Sequence, residues 1–232
     1  MLFKPTIGTA LSGKIRGIVA SHNAGGAYFR VLTIPTNPNT PQQQAVRNAV
    51  AGLTNQWNNV LTIAQRAEWE LYADNVKITN RIGEQVNISG LAMFVRSNVA
   101  RVQTGNPIVL DGPGIFNLGS YTPPTLTNAS EATQTVDLNF ETTTLADLWA
   151  NEVGGFMFGY ISRPQNPSIN FFRGPYRVAF SIAGDPVAPA SPATAGVPFP
   201  IVAGQRLFGR AVTCRADGRY STSSFFFVLT GA

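Results

Sequence analysis

The stretch VLDGPGIFNLGSYTPP, Val109 to Pro124, holds three glycines and three prolines, and the hydrophobic rhythm of the chain changes across it. Before it, apolar residues recur every three or four positions, the period of an amphipathic helix. After it they alternate, the period of a half-buried strand. Glycine and proline clusters of this kind favour turns and connectors over regular structure. The stretch therefore reads as a domain boundary. Working outward from it divides the 232 residues into an extended arm at 1–38, a helical region at 39–108, a linker at 109–123 and an all-β domain at 124–232. The expected fold class is α+β: a β-hairpin arm, a small three-helix region and an immunoglobulin-like sandwich.

Upstream, TPQQQAVRNAV offers Thr40 as an N-cap and Pro41 at the first helical position. Val46, Val50, Leu53, Trp57 and Val60 then form one apolar stripe. A second helix opens on a capping box from Thr62 to Gln65, with Ile63, Ala67, Trp69, Leu71 and Tyr72 as a broad apolar surface. A third follows Ser89, with Leu91, Val95, Val99 and Val102 as its stripe and Phe94 beside it, and closes near Gly105 and Pro107.

Downstream, TQTVDLNFET, GFMFGYISR, INFF, YRVAFSIA, QRLFGRAVTCRA and RYSTSSFFFVLT are short alternating or apolar runs separated by turn signals. Asp217-Gly218 is a hairpin signal between the last two. About seven strands in such a span suit an immunoglobulin-like sandwich. FFFVL reads as a buried terminal strand, and the Pro/Ala-rich stretch from Gly184 to Gly204 as a long loop.

The arm contains the only histidine, in SGKIRGIVASHNAGGAYFR, Ser12 to Arg30. Two β-capable runs flank AGG, which supplies the backbone freedom of a hairpin turn. A lone hairpin is marginal in water, so it must lie against something else. Charge points the same way: six bases (Lys4, Lys14, Arg16, Arg30, Arg47, Arg66) and no acid lie between Met1 and Ala67. From Asp111 on, seven arginines face eight carboxylates, so the asymmetry belongs to the N-terminal end. An acidic partner is implied, and the scattered bases suit a protein surface better than nucleic acid.

No residue set specifies catalysis. His22 sits between Ser21 and Asn23 at a glycine-rich turn, where capping of backbone groups is the simpler role. SGKIRG lacks the phosphate-loop spacing and NAGGAY the dinucleotide fingerprint. Glu70 and Asp74 lie one helical turn apart, and Arg66 precedes Glu70 by four residues, as on a solvated helix face. Asp111 opens only a fragment of an ion loop. Cys214, the single cysteine, alternates into a strand as a small core residue. The expectations are no enzyme, no cofactor and no metal. A missing secretory signal and the lack of an apolar run of membrane length imply synthesis in the cytoplasm and no membrane partner.

The order of SGKIRGIVASHNAGGAYFR, IPTNPNTPQQQAVRNAV, LTIAQRAEWELYA and SGLAMFVRSN, roughly Ser12 to Asn98, resembles a group of tailed-bacteriophage and prophage proteins. The C-terminal half is similar to immunoglobulin-like or fibronectin-type-III-like domains appended to virion proteins. The resemblance implies a structural component of a virus particle, assembled in the host cytoplasm. The expected role is a capsid cement or decoration protein, held in many copies on the major capsid protein or other virion proteins. Lys14, Arg16, His22, Tyr28 and Arg30 are its candidate contact residues. A tail, connector or head-fibre component is the alternative within that class. A receptor- or carbohydrate-binding module working through aromatic platforms is the alternative outside it.

Overall fold

The structure, a computed structural model, describes residues 12–23, 26–34, 36–79, 84–117, 121–143 and 145–231. The chain forms two compact units, Met1–Gln43 and Gln44–Ala232. Its class is α+β and β-rich, with three α-helices and twelve strands in antiparallel sheets among the described residues.

The first unit holds β1 (Gly13–Ile15), β2 (Ile18–Asn23) and β3 (Gly26–Val31), a three-stranded antiparallel sheet in that order. The expected hairpin is thus a three-stranded sheet. KIRGIVASHN breaks at Arg16–Gly17, where Arg16 takes a φ of 52° and Ile15 pairs with Ile18 across the turn. Side-chain alternation cannot show such a break, because it continues on both sides of it.

Helix α1 (Pro41–Asn59), which belongs to the second unit from Gln44 on, starts where Thr40 and Gln43 exchange hydrogen bonds. Helix α2 (Ile63–Asn75) opens on the Thr62–Gln65 capping box, with both bonds present. Helix α3 (Gly90–Gln103) is capped by Ser89, whose hydroxyl accepts from the Ala92 amide. The Glu70 carboxylate also accepts from the Gly90 amide at 2.8 Å, so it neutralises the positive end of α3. Between α2 and α3, β4 (Ile78–Thr79) and β5 (Gln85–Val86) pair briefly. The helices share a core of Leu53, Trp57, Trp69, Tyr72, Met93 and Phe94, in which Trp69 and Phe94 meet edge to face at 5.6 Å.

Residues 109–112 are tied to the helices. The Trp69 indole donates to the Leu110 carbonyl, Asn98 bonds both backbone groups of Val109, and Gln65 donates to Asp111. Gly112 lies so close to α2 that a Cβ there would meet Glu68 and Trp69 backbone at 2.6 Å.

Two antiparallel sheets follow. One comprises β6 (Thr125–Ser130), β7 (Thr135–Asn139) and β10 (Ala193–Gly196), in the order β10-β7-β6. The other comprises β8 (Phe156–Ser162), β9 (Tyr176–Ala183), β11 (Arg206–Cys214) and β12 (Ser224–Leu229), in the order β12-β11-β8-β9. Leu126, Val136 and Leu138 of the first pack with Met157, Ile161, Phe180 and Leu207 of the second, and Trp149 joins them from a 3-10 segment. Gly209 is required here, since the Phe226 ring occupies the space a Cβ would take.

Three details differ from the sequence reading. INFF is not a strand, β10 lies inside the long loop, and TLTNAS forms β6. Strands made of threonine, alanine and glycine carry little side-chain signal; their pairing comes from the neighbouring strand.

Every residue of β8 is buried, which one covered face cannot achieve. Its inner side chains enter the shared core. Its outer ones, with Val212, Cys214 and Tyr220, pack around Ala100 of α3. The Arg101 side chain enters the same layer, 2% exposed, and donates to the carbonyls of Pro107, Gly154 and Arg215.

Candidate functional site

In the arm, the register sets the two faces. Lys14, Val19 and Arg30 lie in one cross-strand row, and Ser21 and Tyr28 share that face. Ile15, Ile18 and Val31 form a row on the opposite face, with Ala20 and Phe29 beside it. One face is therefore polar and basic and the other apolar. Ile15, Ile18 and Val31 are all exposed, Val31 at 75%.

The candidate contact residues divide accordingly. Lys14, Tyr28 and Arg30 fall on one face, and Arg16 occupies the β1–β2 turn. His22 pairs with Ala27 across β2 and β3, and its side chain lies outside the described residues. The apolar row was not singled out from sequence, because the extra turn at Arg16 is what brings Ile15 opposite Ile18.

Other candidates have structural occupations. Glu70 caps α3, Asp111 accepts from Gln65, and Cys214 is fully buried with its thiol against the Ser97 carbonyl. Burial pushes the Cys214 thiol up, partly opposed by Arg101. Among the described residues no group of three or more His, Cys, Asp or Glu is placed to hold a metal ion. No described helix is long and apolar enough to cross a membrane.

A second surface lies on the outer side of the four-stranded sheet. FFFVL divides by alternation: Phe226 and Val228 pack inward, while Phe225 and Phe227 stand 67% and 56% exposed. Its reading as a buried strand is corrected in that respect. With Phe171, Phe172, Tyr176 and Phe208 they line a cavity of about 210 Å³. Guanidiniums cover several rings: Arg206 sits 4.8 Å from the Phe227 centroid, Arg210 4.3 Å from Tyr160, and Arg173 5.8 Å from Phe171. Burial raises the Tyr176 hydroxyl pKa, with Arg210 pulling it down. Among the described residues, Arg215 pairs with Glu152 and Arg219 with Asp217, and no carboxylate lines this cavity.

No family model matches the chain, and no curated protein matches it. Among solved structures, a beta-1,2-glucanase from Parabacteroides distasonis is similar at 11% identity and a TM-score of 0.31. The similarity covers 55% of this chain and 15% of that one, and it carries no argument about fold or function.

Proposed function

We propose that this chain is a structural protein of a bacteriophage particle, a cement or decoration protein that grips the capsid shell through its N-terminal arm. The observation that carries the reading is the arm sheet, a small meander with an exposed apolar row on one face and Lys14 and Arg30 on the other. Such a sheet has little core of its own, and its outer strands leave backbone edges to pair with a neighbour. Burying Ile15, Ile18 and Val31 on a shell protein would supply contact energy, at roughly 25 cal/mol per Å². The bases would orient the arm on an acidic surface. The two facing sheets, of three and four strands, are read as an immunoglobulin-like sandwich of the fibronectin III kind.

The test is co-sedimentation with purified phage heads. A chain lacking Met1–Pro35 loses four of the six N-terminal bases and the whole sheet, and is expected to stay in the supernatant. Charge reversal at Lys14 and Arg30 is expected to weaken binding more at low salt than at high, because screening extends over about 10 Å at 0.1 M. Full occupancy of particles by the truncated chain would place the anchor elsewhere and end this reading.

A further inference from the structure

Two surfaces of the second unit complement one another. Helix α2 buries Trp69, Tyr72 and Ala73 but leaves the stripe Ile63, Ala67, Leu71 in water, with Ile63 81% and Leu71 55% exposed. Glu70 and Asp74 fall on the same stripe, and Arg66 stands at its edge. The helix thus presents an acidic, apolar ridge. The open end of the four-stranded sheet presents the counterpart: exposed Phe225 and Phe227, a cavity large enough for one apolar side chain, and Arg206 and Arg210 beside it.

We infer that the second unit associates head to tail with further copies of this chain, the α2 ridge of one copy docking on the aromatic–arginine face of the next. The mode is a helix laid on an apolar groove, with Leu71 as the anchor in the cavity. Arg206 already donates to the Ile169 carbonyl and the Asn170 side chain, and Glu70 is engaged by the Gly90 amide, so the charge pair across the contact is Arg210, stacked on Tyr160, with Asp74. The same stacking argues against a sugar as the occupant, since guanidiniums already cover ring faces that a sugar would need. Because the two surfaces differ, the contact is heterologous and propagates into a ring or filament rather than stopping at a two-fold dimer. The inference does not depend on the capsid reading, and its test contains no phage particle.

Sedimentation of the full chain is measured from low to high micromolar concentration, with Leu71→Arg and Phe225→Glu as single variants. The wild type is expected to rise from 24.8 kDa to at least twice that mass, and less so in high salt. Each variant alone is expected to stay at 24.8 kDa, because each keeps only one working surface. Mixed, they are expected to form a one-to-one pair that grows no further. Formation of that pair also shows that the substituted chains are folded. A wild type that stays monomeric throughout, whether or not the face takes up a glycan, overturns the inference. So does a single variant that assembles like the wild type, or a mixture that stays monomeric while both variants retain native circular dichroism.

Discussion

The outer face of the four-stranded sheet has two ends built from the same kinds of residue. At one, Phe156, Phe158, Val212, Cys214 and Tyr220 lie under α3. At the other, Phe208, Phe225, Phe227 and Tyr176 have no helix over them, and arginines stack on the rings instead. Arginine serves both ends in opposite ways. Arg101 is sealed in and donates to three backbone carbonyls, whereas Arg210 bridges the rings of Tyr160 and Tyr176 near the open cavity. An aromatic strand face therefore does not by itself mark a core or a contact surface. What decides is whether another element of the chain reaches it.

The largest expected difference between the ends is in stability. Phe158→Ala under α3 is expected to cost about 3–5 kcal/mol, the range for a truncated buried aromatic. Phe227→Ala at the open end is expected to cost under about 1 kcal/mol, as surface changes do. Urea unfolding of both measures the contrast; equal losses would mean the open end is core after all.

Next in size is the sealed cation. Arg101→Leu keeps apolar bulk but removes the donors to Pro107, Gly154 and Arg215. The Pro107 and Gly154 carbonyls would be left without partners at about 1–3 kcal/mol each, while Arg215 keeps its bond from the Gly218 amide, so a total of about 3 kcal/mol is expected in the same assay. A loss below about 1 kcal/mol would show that water reaches the layer beneath α3.

The smallest expected effect is alkaline. Burial raises the Cys214 thiol pKa, so the folded chain holds that proton to higher pH than the unfolded chain, which releases it near about pH 8.5. Below that pH the group leaves stability unchanged. Above it stability falls, by at most about 1.4 kcal/mol per pH unit, until the folded thiol ionises too. Cys214→Ala is expected to remove this first part of the decline, leaving the later tyrosine contribution, to which Tyr72 adds with a pKa raised to about 12. Alkylation of the native thiol by iodoacetamide is expected to be slow until the chain unfolds; rapid reaction would show that the covered end opens.

Local signals were readable where the chemistry is local. The Thr62–Gln65 box, the Ser89 cap and the alternation of β8, β9 and β11 all show in the sequence, because neighbouring residues make the bonds concerned. Strands β6 and β10 do not show, being short and rich in small or polar residues. The stripe of α2 misleads for another reason: periodicity places Ile63, Ala67 and Leu71 on one side but cannot say that the side with Trp69, Tyr72 and Ala73 is the one facing the core. The arm was recognisable as extended and basic, yet its apolar row depends on a positive φ at Arg16, which that residue type does not advertise.

Helix α3 also sets a schedule. Its first partners, Trp69 and Tyr72, precede it by a few turns of chain, but the partners on its other side come much later. Arg101 meets Arg215 across 114 residues, Ser97 meets Cys214 across 117, and Arg96 meets Ser221 across 125. Closing loops of that length slows folding, since the entropy is spent before the contact forms. A ribosome adding about 5–20 residues per second needs several seconds to deliver those partners. For that interval the nascent chain carries an uncovered helix face, a binding site for chaperones that the finished protein no longer has.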